Sequence, residues 1–163
     1  MYIKFLSAFF SLFATWTVVQ AANLVVTGNY TISHPTDGGI IVSDGGNSTP
    51  IRVANATTLK ANGIWSLELY STASELPTYK IQYQGTSFVA GTQGVPGAVV
   101  YTSNSSGTPK FFAIGADIGN SAYQIASDPY KVLVWTRQPN NTITLETNKR
   151  SSNQLWNIVV PNV

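Results

Sequence analysis

The sequence predicts an all-β domain assembled from three repeated units of about four strands each. Two observations carry this expectation. Apolar residues come in short alternating runs set apart by Gly, Pro, Asn and Ser, and nothing beyond residue 21 has the period of a long amphipathic helix. Two sequence markers then recur three times in a common register. Tyr-x-Ile opens each unit, at Tyr30-Thr31-Ile32, Tyr79-Lys80-Ile81 and Tyr123-Gln124-Ile125, with spacings of 49 and 44 residues. An aromatic followed two positions later by an aliphatic closes each unit, at Trp65-Ser66-Leu67, Phe112-Ala113-Ile114 and Trp156-Asn157-Ile158, spaced by 47 and 44.

The first 21 residues are set apart from this pattern. Lys4 supplies a positive charge, Phe5 to Val19 is apolar and uncharged, and Val19 and Ala21 occupy the −3 and −1 positions of a cut before Ala22. That layout predicts a signal peptide over 1–21, a single domain over 22–163 and an extracellular, secreted product. The apolar run is shorter than the roughly 20 residues a membrane-spanning helix needs.

Within the domain the units fall at approximately 28–70, 77–117 and 121–160. Between its markers the first carries the apolar runs Gly39-Ile40-Ile41-Val42 and Pro50-Ile51-Arg52-Val53. The second carries Ser87-Phe88-Val89-Ala90 and Ala98-Val99-Val100-Tyr101. The third carries Lys131-Val132-Leu133-Val134-Trp135 and Thr142-Ile143-Thr144-Leu145. Strand alternation puts Tyr30, Ile32, Trp65 and Leu67 on one face, with their counterparts in the other units. A unit of about 40 residues cannot bury that face alone, so the three must share a core. Three units are too few for a propeller, and a closed threefold barrel capped by hairpins fits better.

Composition narrows the function classes. With Lys4 set aside, eight Lys and Arg face seven Asp and Glu, so no basic field exists to draw in nucleic acid or an anionic membrane. The chain has no cysteine, and a domain of this length can stand without disulfides. Five N-x-S/T sequons, at Asn29, Asn47, Asn55, Asn104 and Asn140, predict a glycoprotein, against the alternative that they arise by chance in a chain rich in Asn, Ser and Thr. Asn140, in the turn-like Gln138-Pro139-Asn140-Asn141, is the strongest. One histidine, His34, and scattered carboxylates, among them Asp117 and Asp128, give no metal constellation and no acid–base pair. No Gly-x-Ser-x-Gly elbow or phosphate loop is present. The expectation is a binding protein, not an enzyme, with no cofactor and no metal.

The third unit ends in Asn153-Gln154-Leu155-Trp156. This Gln-x-Trp, together with the threefold pattern, resembles the β-trefoil of ricin-B-type lectins. Gly63-Ile64-Trp65 and Lys110-Phe111-Phe112 are degenerate versions of it. The chain is also similar to the cysteine-free β-trefoil protease inhibitors of fungi. The resemblance implies a β-trefoil, a fungal source and glycans or glycoproteins as partners. In the lectin family a sugar site joins an Asp of the second-strand region, a stacking aromatic, and Asn and Gln near the Gln-x-Trp motif.

Carried onto this chain, that pattern fits incompletely. The acid's place falls near Ile41 in the first unit, with Asp44 three residues on and equally readable as a turn residue. The second unit has no acid at Val89-Ala90-Gly91 but brings Tyr101 near the stacking position. The third has Val134 where the acid belongs, while Asn153 and Gln154 match the polar pair; Gln154 also reads as a brace for its own loop. Trp135 ends an apolar run that points to the core, and the polar residues after it point to a rim, where it would be the best stacking platform. Tyr130 is a weaker platform of the same kind. The inhibitor resemblance, with a protease as partner, singles out Lys149-Arg150-Ser151, a pair of cations suited to a trypsin-like pocket or, equally, a solvated turn.

Overall fold

The computed structural model describes residues 24–55, 63–104, 110–117 and 121–161. The leader expected over 1–21 lies outside them. Thirteen strands run in chain order: β1 (Gly28–Ser33), β2 (Ile40–Val42), β3 (Thr49–Pro50), β4 (Arg52–Ala54), β5 (Ile64–Ser71), β6 (Thr78–Tyr83), β7 (Phe88–Gly91), β8 (Tyr101–Asn104), β9 (Phe112–Ala116), β10 (Tyr123–Ala126), β11 (Leu133–Arg137), β12 (Ile143–Thr147) and β13 (Asn157–Val159). A short 3₁₀ turn, Ser152–Gln154, precedes the last.

The two sequence markers become the walls of a closed barrel. β1 pairs with β5, β5 with β6, β6 with β9 and β9 with β10, all antiparallel. A bridge between Tyr123 and Trp156 joins β10 to the start of the last strand, and β13 returns to β1. Closure leaves the barrel without an edge, which removes the main aggregation hazard of a sheet. Six of the remaining strands form three hairpins, β2–β4, β7–β8 and β11–β12, and the short β3 pairs with β8 of the second.

These hairpins meet about a threefold centre. The Ile51 N–H donates to the Val100 carbonyl at 2.9 Å, Val100 to Ile143 at 2.9 Å, and Ile143 back to Ile51 at 3.2 Å. All three side chains are fully buried. This ring explains two departures from the expected strands. The run Pro50–Val53 is split at Ile51 into β3 and β4, and Ala98–Val100 precedes β8 instead of belonging to it. At both places the backbone groups face a neighbouring unit rather than the hairpin partner.

The core is layered by equivalent positions. Ile32, Ile81 and Ile125 form one set, and Trp65, Phe112 and Trp156 another, all at zero exposure. In the cap Ile41, Ala90 and Trp135 hold matching places, each opposite a third-strand residue: Val53, Thr102 and Leu145. The large Trp135 ring packs edge-on against Phe112, centroids 5.1 Å apart. Burying each such side chain contributes about 1.5–3 kcal/mol, so the aromatic layers dominate cohesion.

Candidate functional site

A polar pocket opens where the first unit meets the third. Asp37, Gly39, Val53, Ala54, Asn55, Arg137 and Asn141 line a volume of about 260 Å³. The sequence Asp37-Gly38-Gly39 builds one wall. Gly38 takes a positive φ of 68°, and the Gly39 N–H donates to Asp37 Oδ1 at 3.1 Å, the side-chain-closed turn that Asp favours. Gly39 is also required by space: a Cβ there would come within 2.5 Å of the Val53 side chain.

The opposite wall is the β11–β12 turn. Arg137 Nη1 donates to Asp37 Oδ2 at 2.7 Å, reaching 100 residues along the chain. Its Nε and Nη2 both donate to Asn141 Oδ1, at 3.1 and 2.7 Å. Asn141 adopts φ 66°, a conformation Asn tolerates better than most residues. The planar guanidinium is thereby held in one orientation between a carboxylate and a carboxamide. The Arg137 hydrogen bond, then that of Gly39, hold the Asp37 carboxyl below its ordinary range. Val53 and Ala54 add an apolar strip beside these polar groups.

Beneath the pocket sits His34, 5% exposed, its ring edge-on to Trp156 at 5.8 Å. Nδ1 lies 3.4 Å from Asp37 Oδ1, a close approach without hydrogen-bond alignment. Burial, and next the charge of Arg137, lower the imidazole pKa from 6.5, while Asp37 opposes them. Among the described residues no group of three His, Cys, Asp or Glu gathers that would hold a metal.

The residues singled out from sequence are placed elsewhere. Trp135 has zero exposure, and its Nε1 has no hydrogen-bond partner among the described residues, so it offers no face to a ligand. The rim reading fails because the polar Thr136 after it is itself buried, its Oγ1 accepting from Gln154 Nε2 at 3.1 Å. Gln154 braces its loop. Oε1 accepts from the N–H of Lys149 and of Ser151, and Nε2 donates also to the Thr147 carbonyl. With every polar atom engaged and 2% exposure, it has nothing left for a sugar.

Asn153 is part-buried, donating to the Arg137 carbonyl and accepting from Ser151 Oγ. Asp44 pairs with Arg52 at 2.7 Å on the open surface. Tyr101 is part-buried, its Cε2 3.4 Å from where a Cβ on Gly91 would stand. Lys149 and Arg150 are exposed on a braced loop, but Arg150 has φ 52°. The chain therefore turns there and is not the extended segment that a substrate-like inhibitor presents. The five sequon asparagines, Asn29, Asn47, Asn55, Asn104 and Asn140, are all exposed. Asn140 Oδ1 accepts from its own sequon's Thr142, through N–H and Oγ1.

Sequence reasoning missed Asp37, Arg137 and Asn141. Their pairing crosses from the first unit to the third, so no local motif contains it. The usable signal was the repeat register, which aligns the two units, combined with an Arg in a hairpin whose strands carry no other charge than Glu146.

No family model and no curated relative matches the chain. Solved structures do. The designed threefold-symmetric protein ThreeFoil is 13% identical, with a TM-score of 0.67, over 82% of this chain and 99% of its own. The fold is a β-trefoil. The Rhizoctonia solani agglutinin shares this trefoil at 16% identity and a TM-score of 0.69, over 83% of this chain and 96% of its own. The Macrolepiota procera ricin B-like lectin, solved in complex with lactose, is 17% identical with a TM-score of 0.67, over 85% and 99%. Identities this low establish the trefoil and carry no residue correspondence.

Proposed function

We propose that this trefoil is a secreted, non-catalytic carbohydrate-binding protein, and that the pocket between its first and third units is the sugar site. The observation that carries the proposal is the convergence of Asp37, Arg137 and Asn141 beside Val53 and Ala54. A pyranose presents vicinal hydroxyls and a carbon-rich face. A fixed carboxylate accepts from the hydroxyls, the guanidinium and carboxamide donate to ring and hydroxyl oxygens, and the apolar strip meets the C–H face. At about 260 Å³ the pocket lies just under the roughly 300–1,000 Å³ span of drug-sized ligand sites. That size suits one or two sugar rings rather than a long oligosaccharide. The known lactose complex of a protein sharing this fold supports the class of ligand.

Asn55 lines the pocket and Asn140 adjoins Asn141. A glycan carried on either would stand at the mouth, so the protein's own glycans are removed before testing. A glycan array then gives saturable binding to one sugar class. Asp37→Asn, which keeps the turn, and Asn141→Gly, which keeps the positive φ, abolish it. A blank array, or binding indifferent to both substitutions, overturns the proposal.

A further inference from the structure

A second surface lies at the other end of β11 from Arg137, made of two rigid loops side by side. The first is Asp128-Pro129-Tyr130-Lys131-Val132. Asp128 Oδ1 accepts from the N–H of Tyr130 at 2.9 Å and of Val132 at 3.3 Å, and Oδ2 accepts from Leu133 at 3.3 Å. Lys131 takes φ 55°, and its Nζ folds back onto the Ala116 carbonyl at 3.3 Å. The turn thus has its own side chains tied down, with two exceptions at its apex: Tyr130 is 73% and Val132 57% exposed.

The second loop, Asn148 to Ser151, is fixed by Gln154 from within and by Asn148, whose Oδ1 accepts from Arg150 N–H at 3.0 Å. Asn148 is itself locked to the buried Gln124 by two hydrogen bonds. The loops are joined by the Asn148 N–H donating to the Val132 carbonyl at 3.0 Å. Lys149 and Arg150 enter no ion pair among the described residues. The carboxylate of Asp128 in the adjoining loop is already engaged by three amides.

We infer that Tyr130, Val132, Lys149 and Arg150 form a docking face for an acidic protein partner. The shape decides against a sugar site, since an aromatic at a turn apex is a knob and its partner must supply the cavity. Charge decides the sign of that partner: two unpaired cations flank the knob. Rigidity supplies affinity, because loops already held in one conformation lose little freedom on binding. A Tyr with adjacent Arg is also the side-chain pairing that concentrates binding energy at protein interfaces. This face is independent of the sugar pocket.

The test selects displayed random peptides on the purified protein, with counter-selection on the Tyr130→Ala/Arg150→Glu variant. Enriched peptides are rich in Asp and Glu around an apolar residue. As synthetic peptides they bind the native protein, weaken as salt rises, and lose roughly tenfold or more in affinity with either single substitution. Both side chains are exposed, so an unchanged thermal transition separates lost docking from lost folding. Failure to enrich acidic sequences, or peptides indifferent to both substitutions, overturns the inference. Co-sedimentation with phosphatidylserine vesicles that Tyr130→Ala abolishes also overturns it, assigning the face to a membrane instead.

Discussion

Trp156 donates from its indole Nε1 to the carbonyl of Trp135 at 3.2 Å, tying the barrel wall of the third unit to the cap above it. The first unit repeats the arrangement: Trp65 Nε1 donates to the Ile41 carbonyl at 2.9 Å. In the second unit the equivalent position is Phe112, whose side chain has no donor. The tie therefore holds two of the three units. Trp156→Phe keeps most of the buried area but leaves the Trp135 carbonyl without this donor, and is expected to destabilise by about 1–3 kcal/mol. Trp156→Ala adds a cavity and costs about 3–5 kcal/mol. Urea unfolding followed by circular dichroism distinguishes the two.

Gln154 holds the loop that carries Lys149 and Arg150 through four hydrogen bonds. Gln154→Ala removes all four and leaves the Thr147 carbonyl and two loop amides unsatisfied. Hydrogen exchange is expected to accelerate at Lys149 and Ser151 while β5 and β6 stay protected. Stability falls by about 2–4 kcal/mol, the order expected for buried polar groups left unpaired.

Acid weakens the fold through His34. Its folded pKa lies below 6.5, chiefly because it is buried, then because Arg137 is near; Asp37 is the opposing acid. The unfolded chain then holds more protons in that window, so stability is full above pH 6.5 and declines as pH falls from there through the folded pKa. Urea midpoints measured at pH values spanning that range should slope downward with acid. His34→Gln should flatten the slope, whereas Asp37, whose folded pKa lies below 3.8, acts only in a lower window.

On the proposed reading, Arg137 and Asp37 serve the ligand more than the fold. Asp37 is 48% exposed, so the pair contributes at most about 1 kcal/mol to stability. Asp37→Asn should leave the thermal transition nearly unchanged while removing sugar binding. A large loss of stability with ligand binding retained would assign the pair a purely structural role.

The barrel was legible in the sequence and the pocket was not, for one physical reason. Tyr79, Ile81, Trp65 and Phe112 announce themselves because burial forces a period-two pattern repeated three times. Gln154 was legible in its bracing role through a different signal, the Gln-x-Trp of the third unit alone, which resembles the ricin-B-type motif. Trp135 was ambiguous because Thr136, polar but buried, looks from sequence like the start of a surface. Asp37 and Arg137 belong to no repeated pattern, and only closure of the third unit onto the first brings them within 2.7 Å. The repeat creates the interface, and departures from the repeat furnish its chemistry.

The most direct test of carbohydrate binding at this pocket is amide chemical-shift mapping of the isotope-labelled, deglycosylated protein during titration with the best glycan from the array. The account predicts saturable shifts centred on Gly39, Ala54, Asn55 and Asn141, with Tyr101 and Asp44 unmoved. Saturable shifts centred on Tyr101, or on the Tyr130 and Arg150 loops, with the pocket amides silent, would contradict it.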